Sequence, residues 1–238
     1  DHSRLAVYGN MNNLNDDRKP GENDNWSPSD LFGGLTQQQL GGLDYNIDAR
    51  SGKYKLSGNA QVKHADNTIV NNTNRTNFLA NGDTYDRMVA NNRNHNFTLS
   101  TDHQFYFEFK NANLNIKPRF NYQYYNNKSG YSSLTLNRSF TSFSKAQLDS
   151  LYTPMIGREL IRTSINRNLR NGLSIGHSLE GSVSMESLIK FKHSPDHITL
   201  YADASLRHAT EDSFDRNRID YYTNGLQSNT DFRNRYFN

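Results

Sequence analysis

The chain has no cysteine. That excludes a disulfide framework, a thiolate metal site and a nucleophilic thiol. It also has no run near the roughly 18 apolar residues that read as a membrane-crossing helix. Lys and Arg form no basic cluster, and the net charge of +3 is small for 238 residues. The electrostatic footprint of a nucleic-acid binder is therefore missing, and no nucleic-acid partner is expected. Ser/His/Asp spacing, HExxH, a phosphate-cradling loop and a dinucleotide fingerprint are all absent, so no enzyme activity and no cofactor are assigned.

Tyr (14) and Phe (13) are plentiful beside a single Trp. Asn makes up about one residue in seven, well above ordinary usage. So polar a composition could belong to a disordered chain, but the order of the residues argues otherwise. In "LNIKPRFNYQYY", Leu114, Ile116, Phe120, Tyr122 and Tyr124 alternate with Asn115, Lys117, Arg119, Asn121 and Gln123. Period-two alternation marks a β-strand with one apolar face. The same cadence gives six further strands: "RLAVYGNM", "GLDYNIDA", "YKLSGNAQVKH", "NFTLSTDHQFYFEF", "LSIGHSLEGSVSMESLIKF" and "ITLYADASLRH". Two residues interrupt it. Pro118 lacks the N–H of one ladder bond and predicts a bulge or local gap. His177 falls on the apolar face, near the end that leads into a long link.

Short links, "RSGK", "KNAN" and "KHSPDH", carry turn chemistry and alternate with long Asn-rich links. One long link, "SKAQLDSLYTP", reads as a helix over 144–152, with Ser144 as N-cap and Pro154 as its stop. Segments 67–92 and 211–238 keep scattered Ile, Tyr and Phe and could extend the hairpins. The first residues already read as strand and the last lie in a polar stretch, so a piece of a longer chain is expected.

An alternating sheet can bury its apolar face in a soluble sandwich or present it to lipid. Three features favour lipid. Several strands pass ten residues, where membrane strands need about 9–11. Short turns at one end face long loops at the other. Tyr and Phe gather near strand ends, as at membrane interfaces. The expected fold is all-β: long antiparallel up-and-down strands forming part of a large transmembrane β-barrel, with short periplasmic turns and long extracellular loops. Residues 1–238 form one partial barrel domain, in the outer membrane of a Gram-negative bacterium with lipid as partner. A soluble or surface-displayed β-sandwich binding glycans or proteins is the alternative, and a barrel enzyme with its site at the rim is a third reading.

Polar strand faces would then line the lumen or meet a plug, notably through Lys117, Arg119, Glu180, Glu186, Asp203 and Arg207. Loop contacts to an unknown nutrient are expected from Trp26, Tyr131 and Tyr152. The acidic stretch Asp16, Asp17, Glu22 and Asp24 lacks Ca²⁺-loop spacing. Asp102 and His103 are strand neighbours, so they point to opposite faces and form no dyad. His193 and His197 flank a turn with little carboxylate company, and no metal is assigned there.

The runs "MNNLNDDRKPGENDNWSPSDLFGGLTQQQLGGLDYNID", "KYKLSGNAQVKH", "TNFLANGDTYDR", "NHNFTLSTDHQFYFEF" and "LNIKPRFNYQYYNN" resemble the β-barrel region of Bacteroidetes outer-membrane proteins related to TonB-dependent receptors. The resemblance implies a barrel of about 22 strands, a plug inside the lumen, and nutrient uptake driven through TonB.

Overall fold

The computed structural model describes residues 3–13, 34–49, 51–149, 162–223 and 226–237, of which 149, 223 and 226–237 are described by backbone alone. Eight strands form one antiparallel sheet in which each strand pairs only with its neighbours in the chain. They are β1 (Arg4–Asn12), β2 (Leu35–Asp48), β3 (Tyr54–Asn77), β4 (Thr84–Phe109), β5 (Ala112–Leu136), β6 (Ser164–Lys190), β7 (His197–Thr223) and β8 (Leu226–Phe237). The seven alternating segments lie in strands, save that Ala49 and Phe191 fall just past the ends of β2 and β6, and β8 is an eighth that alternation does not reveal. At a rise of about 3.3 Å per residue, strands as long as β6, with 27 residues, run for about 80–90 Å.

That length corrects the expected pattern of links. The polar stretch between the third and fourth segments is mostly strand, leaving only 78–83 as the β3–β4 turn, with Gly82 at φ 112°. Strict alternation of short and long links therefore fails. One end of the sheet has only short turns: 49–53, 110–111 and 191–196. The other end mixes the short 78–83 turn and the 224–225 junction with two long connections, 13–34 and 137–163. The reason is physical: once one hairpin is in register, Asn, Thr and Ser continue the backbone ladder without needing an apolar face. Tyr131, expected in a loop, sits for the same reason inside β5. Trp26, Tyr152 and the acidic stretch around Asp16 lie outside the described residues.

Register places the apolar residues of successive strands in rows. Ile47, Leu56, Phe105, Ile116, Met185 and Ala202 form one such row, and Val7, Leu43, Ala60, Thr101, Phe120, Gly181 and Leu206 another. Among the described residues nothing packs across these rows. Val183 keeps 43%, Leu200 50% and Leu206 65% of its surface exposed. In β4 the apolar run extends from Phe97 to Phe109; above it the same face turns mostly polar, at the row of Asp66, His95, Asn126, Ile175 and Asp212. Pro118 behaves as a local gap: β4–β5 pairing skips 103–104 and 117–118 and resumes in the same register, with no bulge. His177 is at mid-strand, since β6 starts at Ser164, and its ring meets the Thr210 hydroxyl at 3.0 Å.

The buried core is small and sits at the long-connection end. Leu134, Leu136, Leu148 and Tyr222 pack together with Tyr85, Phe140 and Phe143 alongside. Helix α1 (Lys145–Asp149) brings Leu148 there. Ser144 caps it reciprocally with Gln147: Gln147 N–H donates to Ser144 Oγ at 3.2 Å, and Ser144 N–H donates to Gln147 Oε1 at 2.7 Å. The described residues show Lys145–Asp149 of the expected 144–152 helix with Ser144 as its N-cap, and the remainder of that segment lies outside the described residues. Beside this cluster Asp220, fully buried, accepts from Arg167 Nε and Arg218 Nε, each at 2.9 Å. Burial pushes the Asp220 carboxyl up, but the hydrogen bonds and charges of the two guanidinium groups outweigh it and hold the carboxyl below the usual carboxylate range.

Candidate functional site

The opposite face of the sheet carries the polar half of each alternation. Two-residue and six-residue turns fix its register: with 110–111 as the β4–β5 turn, Asp102 must stand opposite Arg119, and with 191–196 as the β6–β7 turn, Glu180 must stand opposite Arg207. Both juxtapositions become ion pairs. Arg119 Nε reaches Asp102 Oδ2 at 2.9 Å, and Arg207 Nε reaches Glu180 Oε1 at 3.0 Å. All four side chains remain well exposed, from 48% for Glu180 to 76% for Arg207. They are therefore solvated charges available to a ligand, and each pair contributes only about 0–1 kcal/mol to stability.

The six expected lumen residues fall on this one face, in four adjacent rows. Glu186 lies opposite Asn115 and Tyr201; Lys117 and Asp203 both lie opposite Ser184; Arg119 lies opposite Ser182; Glu180 lies opposite Arg207. Of the six, only Glu180 and Arg207 bond to each other. The partner of Arg119 is Asp102, which the sequence reading weighed only against His103. As expected, those two strand neighbours diverge: His103 meets the Tyr45 hydroxyl at 3.0 Å on the apolar face. A cross-strand carboxylate of this kind is found in sequence only by counting back from a tight turn.

Around the two ion pairs lies an open recess of ≈ 650 Å³, lined on this face by Asn59, Ser100, Asn121, Ser182 and Ser205. Farther toward the long-connection end is a second of ≈ 650 Å³, with Asn92, Asn94, Asn127, Ser129 and Ser174. It holds another pair absent from the sequence expectations, Arg170 Nη2 to Asp215 Oδ2 at 3.1 Å. Amides and hydroxyls both donate and accept. The face thus offers two stations of mixed hydrogen-bonding capacity, each holding at least one ion pair, suited to reversible binding of polar solutes. The chain matches no family model, and no curated protein sequence matches it.

Proposed function

We propose that the chain is a segment of an outer-membrane β-barrel transporter or receptor that takes up a nutrient. The observation that carries this reading is the single sheet whose apolar rows, those spanned by Phe97 to Phe109 on β4, have no protein layer across them among the described residues. A soluble sandwich would need a second sheet over those rows. From Phe97 to Phe109 the apolar run of β4 spans about 40 Å along the strand; at the usual 45° tilt this is about 28 Å, the thickness of a bilayer's hydrocarbon core. Lipid offers backbone groups no hydrogen bonds, so such a sheet would be closed into a barrel by further pairing at its two edges.

On this reading the charged face lines the lumen or meets a plug. The two polar recesses become successive binding stations, and selection is made by pore lining and loops without covalent chemistry. A plug domain and TonB coupling belong to the proposal through the resemblance of the strand cadence alone. The test is fractionation of cells making the full-length protein. It should stay in the outer-membrane pellet through a carbonate wash and be released by detergent. Release into detergent-free buffer as a monodisperse species would sink the proposal.

A further inference from the structure

Five imidazoles lie on the apolar face: His64, His95, His103, His177 and His208. In His103 and His177 a ring nitrogen is taken up by a neighbouring hydroxyl, from Tyr45 and Thr210. His64 and His95 differ. They are diagonal neighbours on β3 and β4, because His64 pairs with Phe97 and Asp66 pairs with His95. Their rings meet edge to face with centroids 4.7 Å apart, and His64 Nε2 and His95 Nδ1 share a hydrogen bond at 3.4 Å whose proton a bound metal ion would displace. His64 Nδ1 is buried with no partner.

Two imidazole nitrogens bound to one tetrahedral zinc ion at about 2.0–2.1 Å are separated by about 3.3–3.4 Å. The His64–His95 separation equals that bite, with both nitrogens already turned toward each other. A third donor is adjacent. Asp66 shares the face, and its Oδ2 is 3.9 Å from His95 Nδ1, about 0.5 Å beyond the same bite. Arg93 grips this carboxylate through Nε at 3.3 Å and Nη2 at 2.8 Å. A carboxylate retains further lone pairs when so held, and a hydrogen-bonded carboxylate is the usual arrangement around metals. Among the described residues no three such side chains are already assembled as a metal site; here two are in place and the third needs a small rotation.

We propose that His64 and His95 bind a borderline divalent transition-metal ion such as Zn²⁺, with Asp66 closing on it as third ligand and water completing the shell. The site clips β3 to β4 where the apolar run gives way to polar strand. It stands apart from the membrane reading, since it needs only the β3–β4 register and side chains that water reaches; His95 keeps 38% of its side-chain surface exposed.

The test is Co²⁺ titration of the untagged full-length protein, followed by displacement with Zn²⁺. One saturable site with the visible absorption of four-coordinate cobalt is expected. H64Q or H95Q should weaken binding at least tenfold, D66N should weaken it less, and H208Q should leave it unchanged. In the wild-type chain, Zn²⁺ should also protect His64 and His95, but not His208, from diethylpyrocarbonate, which reads the site without any substitution. Absence of saturable binding, a spectrum indifferent to H64Q and H95Q, or protection at His193 and His197 instead would each overturn the proposal.

Discussion

Val183 offers the sharpest test of what the apolar face touches. It lies midway along the apolar run, in the row of Pro118 and Ala204, with 43% of its surface exposed. If lipid covers that face, Val183→Arg places a guanidinium at the bilayer midplane, at a cost of about 2–4 kcal/mol. This is about a 30- to 700-fold loss in the folding equilibrium. Ile189, on the same face but next to the 191–196 turn, is near the interface, where I189R should cost only about 0–1 kcal/mol. Ser182, the chain neighbour of Val183, points to the charged face opposite Arg119. S182R should therefore fold almost as well as the parent. The assay is urea-titrated folding of the full-length protein into phospholipid vesicles, scored by protease protection. Equal costs for V183R and I189R would refute the argument, because only a bilayer makes the penalty depend on height along one face. Equal costs for V183R and S182R would refute the assignment of faces.

Three further outcomes follow from the geometry. Asp220→Asn leaves Arg167 buried without its counter-charge and should cost about 3–5 kcal/mol by chemical denaturation. Because the Asp220 carboxyl is held below its unfolded value of 3.8, its contribution is complete above that pH and lost as pH falls through the lower folded value. The wild type should therefore lose stability more steeply than D220N below about pH 4. Gly58→Ala puts a methyl against His103 Nδ1 and 2.7 Å from the Asp102 carbonyl oxygen. A cost of about 1–3 kcal/mol is expected; H103A should recover only part of it, and a neutral G58A would show that the close approach is not real. Arg119→Gln should change stability by less than about 1 kcal/mol while altering uptake of charged solutes, so an unchanged solute profile would remove Arg119 from the binding station.

The sequence made the lower half of the sheet readable because one face there must stay apolar. Leu114, Ile116 and Phe120 alternate with Asn115, Lys117 and Arg119 for that reason, and Pro118 announced its own gap. Above Phe97 the constraint disappears. "NNTNRTN", 71–77, is strand in full, yet both its faces are polar and no period distinguishes it from a loop. Tyr131 was misplaced by the same loss of contrast. The Arg167–Asp220 contact spans 53 positions and leaves no local trace. The charged face was half readable: its residues could be listed by parity, but which carboxylate meets which arginine depends on turns whose length must first be known. His64, Asp66 and His95 fall between these cases, since their proximity follows from a diagonal step across a hairpin whose upper half reads in sequence as a long link.

Since each described strand is hydrogen-bonded only to those beside it in the chain, the sheet can be widened or narrowed by inserting or deleting one hairpin, with no rethreading of the others. In the barrel proposed above, duplication of a hairpin-coding segment would then change bore while leaving the remaining partnerships intact. A lineage of such barrels would drift in aperture, and so in the size of cargo admitted, faster than in architecture.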